Sequence, residues 1–128
     1  PKAAAEWSAR SAQSKEDLQD RLSTIASTWA HRNPEALNEW LKGIDFDSEM
    51  DDAAATIALQ FDHFGNRDLA LEWSLKITDS RQQFHALQIR LHHWVRHDPD
   101  AAKRWLESAP LSPEVSEAIR EEMKWEAP

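Results

Sequence analysis

Four of the six histidines in this 128-residue chain, His85, His92, His93 and His97, crowd into one segment. On a helix, His93 and His97 stand at i and i+4 and reach one cation from one face, with Asp100 as an added oxygen ligand. The match to known zinc chemistry stops there. A hydrolytic zinc helix carries a Glu directly after its first His, and Trp94 holds that place here. A structural zinc needs a firm fourth ligand. Position near a helix C-terminus already gives these imidazoles a favourable setting. No metal and no cofactor is expected.

The same segment carries a second pattern. Arg81, His85, Gln88, His92 and Arg96 follow one another at steps of four, three, four and four, which is one helical stripe. It is offset from the apolar stripe of Phe84, Leu87, Leu91 and Trp94. Residues 81–104 hold five Arg or Lys against two Asp, a local +3 in a chain of net charge −8. Forked guanidinium and imidazole donors of this kind clamp an anionic peptide segment or a carboxylate terminus. The plain alternative is a solvated helix face. At the corresponding places earlier in the chain stand Glu16, Asp20, Ser23, Ser27 and His31, then Glu49, Ala53, Thr56, Gln60 and Phe64. Such a face grades from acidic to basic. Protonating all six histidines raises the formal charge from −8 to −2.

Other chemistry is thin. Without Cys or Tyr, nucleophiles are limited to Ser, Thr, Lys and carboxylates, and most serines sit where helix caps belong. No carboxylate spacing marks a general acid–base pair. The acidic run from Asp45 to Asp52 misses calcium-loop spacing, since Met50 takes the glycine position and Thr56 the twelfth. Two glycines leave little room for a phosphate-cradling loop. The negative balance opposes binding along a nucleic-acid backbone. No uncharged stretch approaches the length of a membrane span.

These residues are placed by an internal repeat. Pro1-Lys-Ala-Ala-Ala-Glu-Trp7 aligns with Pro34-Glu-Ala-Leu-Asn-Glu-Trp40, Arg67-Asp-Leu-Ala-Leu-Glu-Trp73 and Pro99-Asp-Ala-Ala-Lys-Arg-Trp105. The tryptophans recur every 33, 33 and 32 residues. Ser14, Ser48, Ser80 and Ser112 keep the same step, each before an amphipathic run, and predict helix N-caps. Asn33-Pro34 and Asp98-Pro99 start helices by the same logic. Each unit is thus a longer helix (15–32, 49–64, 81–97, 113–125) and a shorter one (1–10, 34–43, 67–77, 99–108). Gly43 and Gly65 are placed to end helices. Apolar spacing puts Trp7, Trp40, Trp73 and Trp105 in the core, not on an exposed aromatic ladder.

The expected fold is all-α: an α-solenoid of about four helix-turn-helix repeats with a 32–34-residue period, seven to eight helices in all. A period of that length built from helical hairpins, with Asp/Asn-Pro before a helix and Trp after it, resembles the tetratricopeptide-like class. Trp40-Leu-Lys-Gly43 loosely echoes that class's Trp-x-x-Leu-Gly. The resemblance spans essentially the whole chain, 1–128, as a single helical-repeat domain. The chain opens at a proline that would follow a helix cap and closes on a long helix without its short partner. That phase reads as a piece of a longer array.

The resemblance implies a binding scaffold and brings no catalytic residues. The expected function is therefore protein–protein interaction, without enzymatic activity. A protein or peptide with an acidic segment would be held on the longer helices by Arg81, His85, Gln88, His92 and Arg96. Two other readings stand beside it: a metal-dependent or enzymatic domain using the histidine cluster, and a helical repeat binding single-stranded nucleic acid.

Overall fold

Helix ends come first, because they decide where each side chain points. The computed structural model describes residues 2–124, which form eight α-helices. These are α1 (Lys2–Arg10), α2 (Lys15–Trp29), α3 (Pro34–Leu41), α4 (Asp51–His63), α5 (Arg67–Leu75), α6 (Ser80–His97), α7 (Pro99–Ser108) and α8 (Pro113–Met123). A 3₁₀ turn, Ser48–Met50, leads into α4. Among the described residues there is no strand, and no helix is long and apolar enough to cross a membrane. The all-α class and the seven to eight helices expected from sequence are what the described residues form.

Ser14, Asn33, Asp98 and Ser112 cap α2, α3, α7 and α8 as expected, accepting from the backbone N–H of Asp17, Ala36, Ala101 and Val115. Two serine caps are corrected. Asp79 caps α6 through Gln82 N–H, and Asp47 caps the 3₁₀ turn through Glu49 N–H. Each Asp precedes the predicted serine, and its carboxylate reaches the orphan donors while adding negative charge to the positive end of the turn. Gly65 does end α4, with φ at 79°, as Asn66 N–H bonds Phe61 O at 2.8 Å and Gly65 N–H bonds Asp62 O at 3.0 Å. Gly43 plays no such part. α3 closes through tightened bonds from Gly43 N–H to Trp40 O (3.2 Å) and Ile44 N–H to Leu41 O (3.0 Å), which need no left-handed residue.

Packing follows the chain. α1 lies on α2, α2 on α4, α4 on α5, α5 on α6, and α6 on both α7 and α8. The apolar residues gather in two clusters. One runs from α1 to α6 around Leu22, Leu41, Ile57, Phe61 and Trp73. The other joins α5 to α8 around Leu71, Leu87, Leu91, Trp94, Leu106 and Ile119. α5 and α6 serve both: Trp73 and Ala86 face the first cluster, Leu71 and Leu87 the second.

The tryptophan column divides. Trp73 is 1 % exposed, meets Phe46 edge-on at 4.9 Å, and donates Nε1–H to Asn38 Oδ1 at 2.8 Å. Trp40 and Trp105 are half-buried. Trp7 is 66 % exposed, against expectation, because α1 seats itself on α2 through Ala5. Trp29 and Trp94 are buried in their long helices.

Polar bonds tie distant segments together. Lys15 pairs with Asp47 and, at 3.2 Å, with Glu49. Gln19 Oε1 accepts from Ala53 N–H at 3.1 Å, and Gln82 donates to Asp52 at 3.0 Å. The buried Asp51 carboxylate accepts from Thr78 N–H and Oγ1–H, both at 2.8 Å, and from Asp79 N–H at 2.9 Å.

Truncating Trp73→Ala is expected to cost about 3–5 kcal/mol in denaturant unfolding, the range for a buried large aromatic. Trp7→Ala should stay within about 0.5 kcal/mol of the parent, since the exposed ring touches little. A second expectation concerns acid. The Lys15 ammonium, then the Glu49 N–H, hold the Asp47 carboxyl below the usual carboxylate range, and the Gln13 N–H and Arg21 do the same for Asp17. Asp47 and Glu49 in turn raise Lys15. A depressed carboxyl contributes stability that is present above its unfolded value and lost as pH falls through its folded one. Melting temperature should therefore drop as pH falls below about 4, and Asp47→Asn, followed by thermal melts across pH 2.5–7, should flatten part of that drop.

Candidate functional site

The last turn of α4, the α4–α5 connection and the middle of α6 enclose an open depression of about 530 Å³. The left-handed Gly65 turns the chain sharply between Asp62 and Arg67, so both side chains border the same space. Arg67 takes the first position of α5, where α3 and α7 begin with Pro34 and Pro99. Its guanidinium lies 4.3 Å from the Trp94 ring centroid, a cation–π contact that holds it against the wall. Asn66, flanking α5, makes no side-chain bond to the first N–H groups of that helix.

From the other side α6 contributes Ile89, Arg90, His92, His93 and Arg96. Arg90 is 5 % exposed. Its Nη1 donates to Ala86 O at 2.7 Å, while its Nε–H is buried without a partner. Burial pushes the Arg90 pKa down, and the Asp62 charge works against that shift; a guanidinium nonetheless stays protonated. Three guanidiniums thus face one carboxylate. None of the three lies in an ion pair among the described residues. Apolar surface adjoins the charge: Ile89 is 61 % exposed on the wall, and Leu59 and Phe64 of the neighbouring α4 segment are 56 % and 39 % exposed.

Of the stripe read from sequence, His92 and Arg96 enter this depression. Arg81 and His85 are exposed nearer the start of α6, outside it. Gln88 turns toward α8 and donates to Glu122 Oε1 at 2.8 Å. His93 and His97 stack edge-on with ring centroids 5.1 Å apart, and among the described residues no group of three His, Asp or Glu is placed to hold a metal ion.

Arg67, Arg90 and Asp62 were missed as site residues. Two signals pointed to them. Arg67 interrupts a column otherwise held by proline, and Arg90 stands thirty-two residues after Ala58, which is fully buried. A cation at a core position has to find an anion or an opening.

A different depression, about 260 Å³, lies between α1 and α2 along Ala5, Ile25 and Trp29. Its walls are apolar apart from hydroxyls and Arg32, so it offers shape without directional chemistry.

Set against protein-family models, curated proteins and solved structures, the chain matches none of them.

Proposed function

We propose that the chain is a stacked helical-repeat module of the tetratricopeptide-like kind, which captures a protein segment bearing an acidic group beside α4 and α6. Support for the stack comes from adjacency and from bond spacing. α2 packs on α4, α4 touches α6, and α6 packs on α8. Side-chain bonds join residues 30 to 35 apart in sequence, from Lys15–Asp47 through Gln19–Ala53, Asn38–Trp73 and Asp52–Gln82 to Gln88–Glu122. That separation is close to one period of the sequence repeat, as expected when each unit leans on the next.

The observation that carries the binding reading is the concentration of Arg67, Arg90 and Arg96, with His92 and His93, against Asp62 alone. In a chain of net charge −8, unpaired guanidiniums around one opening mark where an acidic partner is met. Ile89 beside them supplies an apolar contact for a neighbouring partner residue. Arg81 and His85, nearer the start of α6, would extend the same helix face toward the rest of the segment.

A displayed peptide library selected on the purified protein should enrich segments with one or more Asp or Glu next to an apolar residue. The double substitution Arg96→Glu with His92→Glu should weaken those peptides at least tenfold, two reversed charges being ample for a 1.4 kcal/mol change. Both side chains are exposed, so the melting temperature should barely move. Absence of acidic enrichment, or undiminished binding by the double variant, overturns the reading.

A further inference from the structure

We infer that the depression between α4, α5 and α6 is a receptor for a phosphate monoester, carried on a side chain of the partner segment. The inference deepens the interaction reading and rests on it. Charge balance comes first. Arg67, Arg90 and Arg96 set against Asp62 leave the walls two positive charges in excess before either histidine is counted. A single carboxylate leaves one of those charges unmet. A phosphate monoester carries about −1.5 to −2 near neutral pH and meets both.

Donor geometry agrees. Arg90 lines the depression, with Nη1 held to Ala86 O at 2.7 Å and a solvent-sealed Nε–H that has no acceptor in the protein. Guanidiniums are forked donors matched to the three oxygens of a phosphate. Arg67 is held in place by the Trp94 ring, so less side-chain freedom is lost when it binds. The first N–H groups of α5, which Asn66 leaves without a side-chain cap, add partial positive charge at the same edge. About 530 Å³ is more than one phosphate needs, which leaves room for the residue that carries it, with Ile89 at its flank.

A protein-borne phosphate fits better than a nucleic-acid one. A polynucleotide presents phosphates in a row and needs a row of cations. Here the cations converge on one opening, and the chain as a whole is at −8.

Nitrogen-15 NMR of the arginine Nε–Hε signals of the full chain reads the site directly. Titration with N-acetyl-phosphoserine amide should shift the Arg90 and Arg67 signals saturably. Its midpoint should lie at least tenfold below that of N-acetyl-glutamate amide. Arg67→Gln and Arg96→Gln should each raise the phosphoserine midpoint about tenfold, the expected loss for one charge-assisted contact. Arg90→Met should abolish the response while leaving the melting temperature unchanged or higher, since it removes an unpaired buried charge. If that variant fails to fold, the two glutamine variants decide the matter.

Equal midpoints for the two probes, no shift of either arginine signal, or indifference to Arg67→Gln and Arg96→Gln each overturn the inference. So does a single-stranded oligonucleotide that binds there more tightly, per phosphate, than the phosphoserine probe. Acidic peptides selected without any phosphoserine response would sink the phosphate site and leave the scaffold reading standing. A phosphoserine response without peptide enrichment would do the reverse.

Discussion

The carboxylate of Asp51 fixes where α6 begins. It sits at the first position of α4, is 8 % exposed, and accepts from Thr78 twice and from Asp79 once. A buried carboxylate with three donors is satisfied, so it costs the fold little and constrains it strongly. The same Asp79 caps α6 with its side chain. Thus the start of the longest helix is tied to the start of α4 before any apolar contact is counted. With α6 held at that point, Leu87, Leu91 and Trp94 reach the second cluster, and Arg90 and Arg96 come to rest beside the end of α4. The depression is a consequence of that registration: it is the space between two helices whose first turns are joined.

Arg90 shows what such a frame can tolerate. An Arg at a 5 % exposed position brings a desolvation cost, and its unpaired Nε–H adds roughly 1–3 kcal/mol. Apolar burial on either side offsets this. α5 and α6 each contribute to two clusters, so the helix carrying Arg90 is anchored by residues preceding and following it, Leu87, Leu91 and Trp94 among them. Removing one large anchor from either cluster costs about 2–5 kcal/mol, as much as or more than the unpaired donor does. Hence the site and the core compete for the same free energy, and Trp94 serves both by packing inside while its ring carries Arg67.

Much of this was legible in the residues, for a physical reason. Helix existence is written in apolar spacing and in caps, both local, and Ser14, Asn33, Asp98 and Ser112 act where the sequence puts them. Where two cap-forming residues adjoin, as at Asp47-Ser48 and Asp79-Ser80, spacing alone cannot choose, and the stronger acceptor took the role. The site was half legible. His92 and Arg96 fall on a stripe of α6, whereas Arg67 and Asp62 join them through a turn, which helical spacing does not describe. The local pattern around Trp7 resembles that around Trp73, yet Trp7 is exposed and Trp73 buried. What differs is the neighbour: Trp73 has Phe46 and Asn38 beside it, and α1 leans on α2 through a small residue instead.

The acidic balance of the chain then bears on what the depression selects. Charges beyond about 8 Å are largely screened at physiological ionic strength. A compact anion inside the opening therefore feels chiefly Arg67, Arg90, Arg96 and Asp62. A longer polyanion has to run past the surface around it. There Asp98 and Asp100 follow Arg96 within four residues, Asp68 follows Arg67, and Glu117 and Glu121 are exposed on the α8 that packs against α6. If the opening takes a phosphate as proposed, its guanidiniums supply affinity for a single multiply charged group, and the exposed carboxylates nearby disfavour a ligand that carries many.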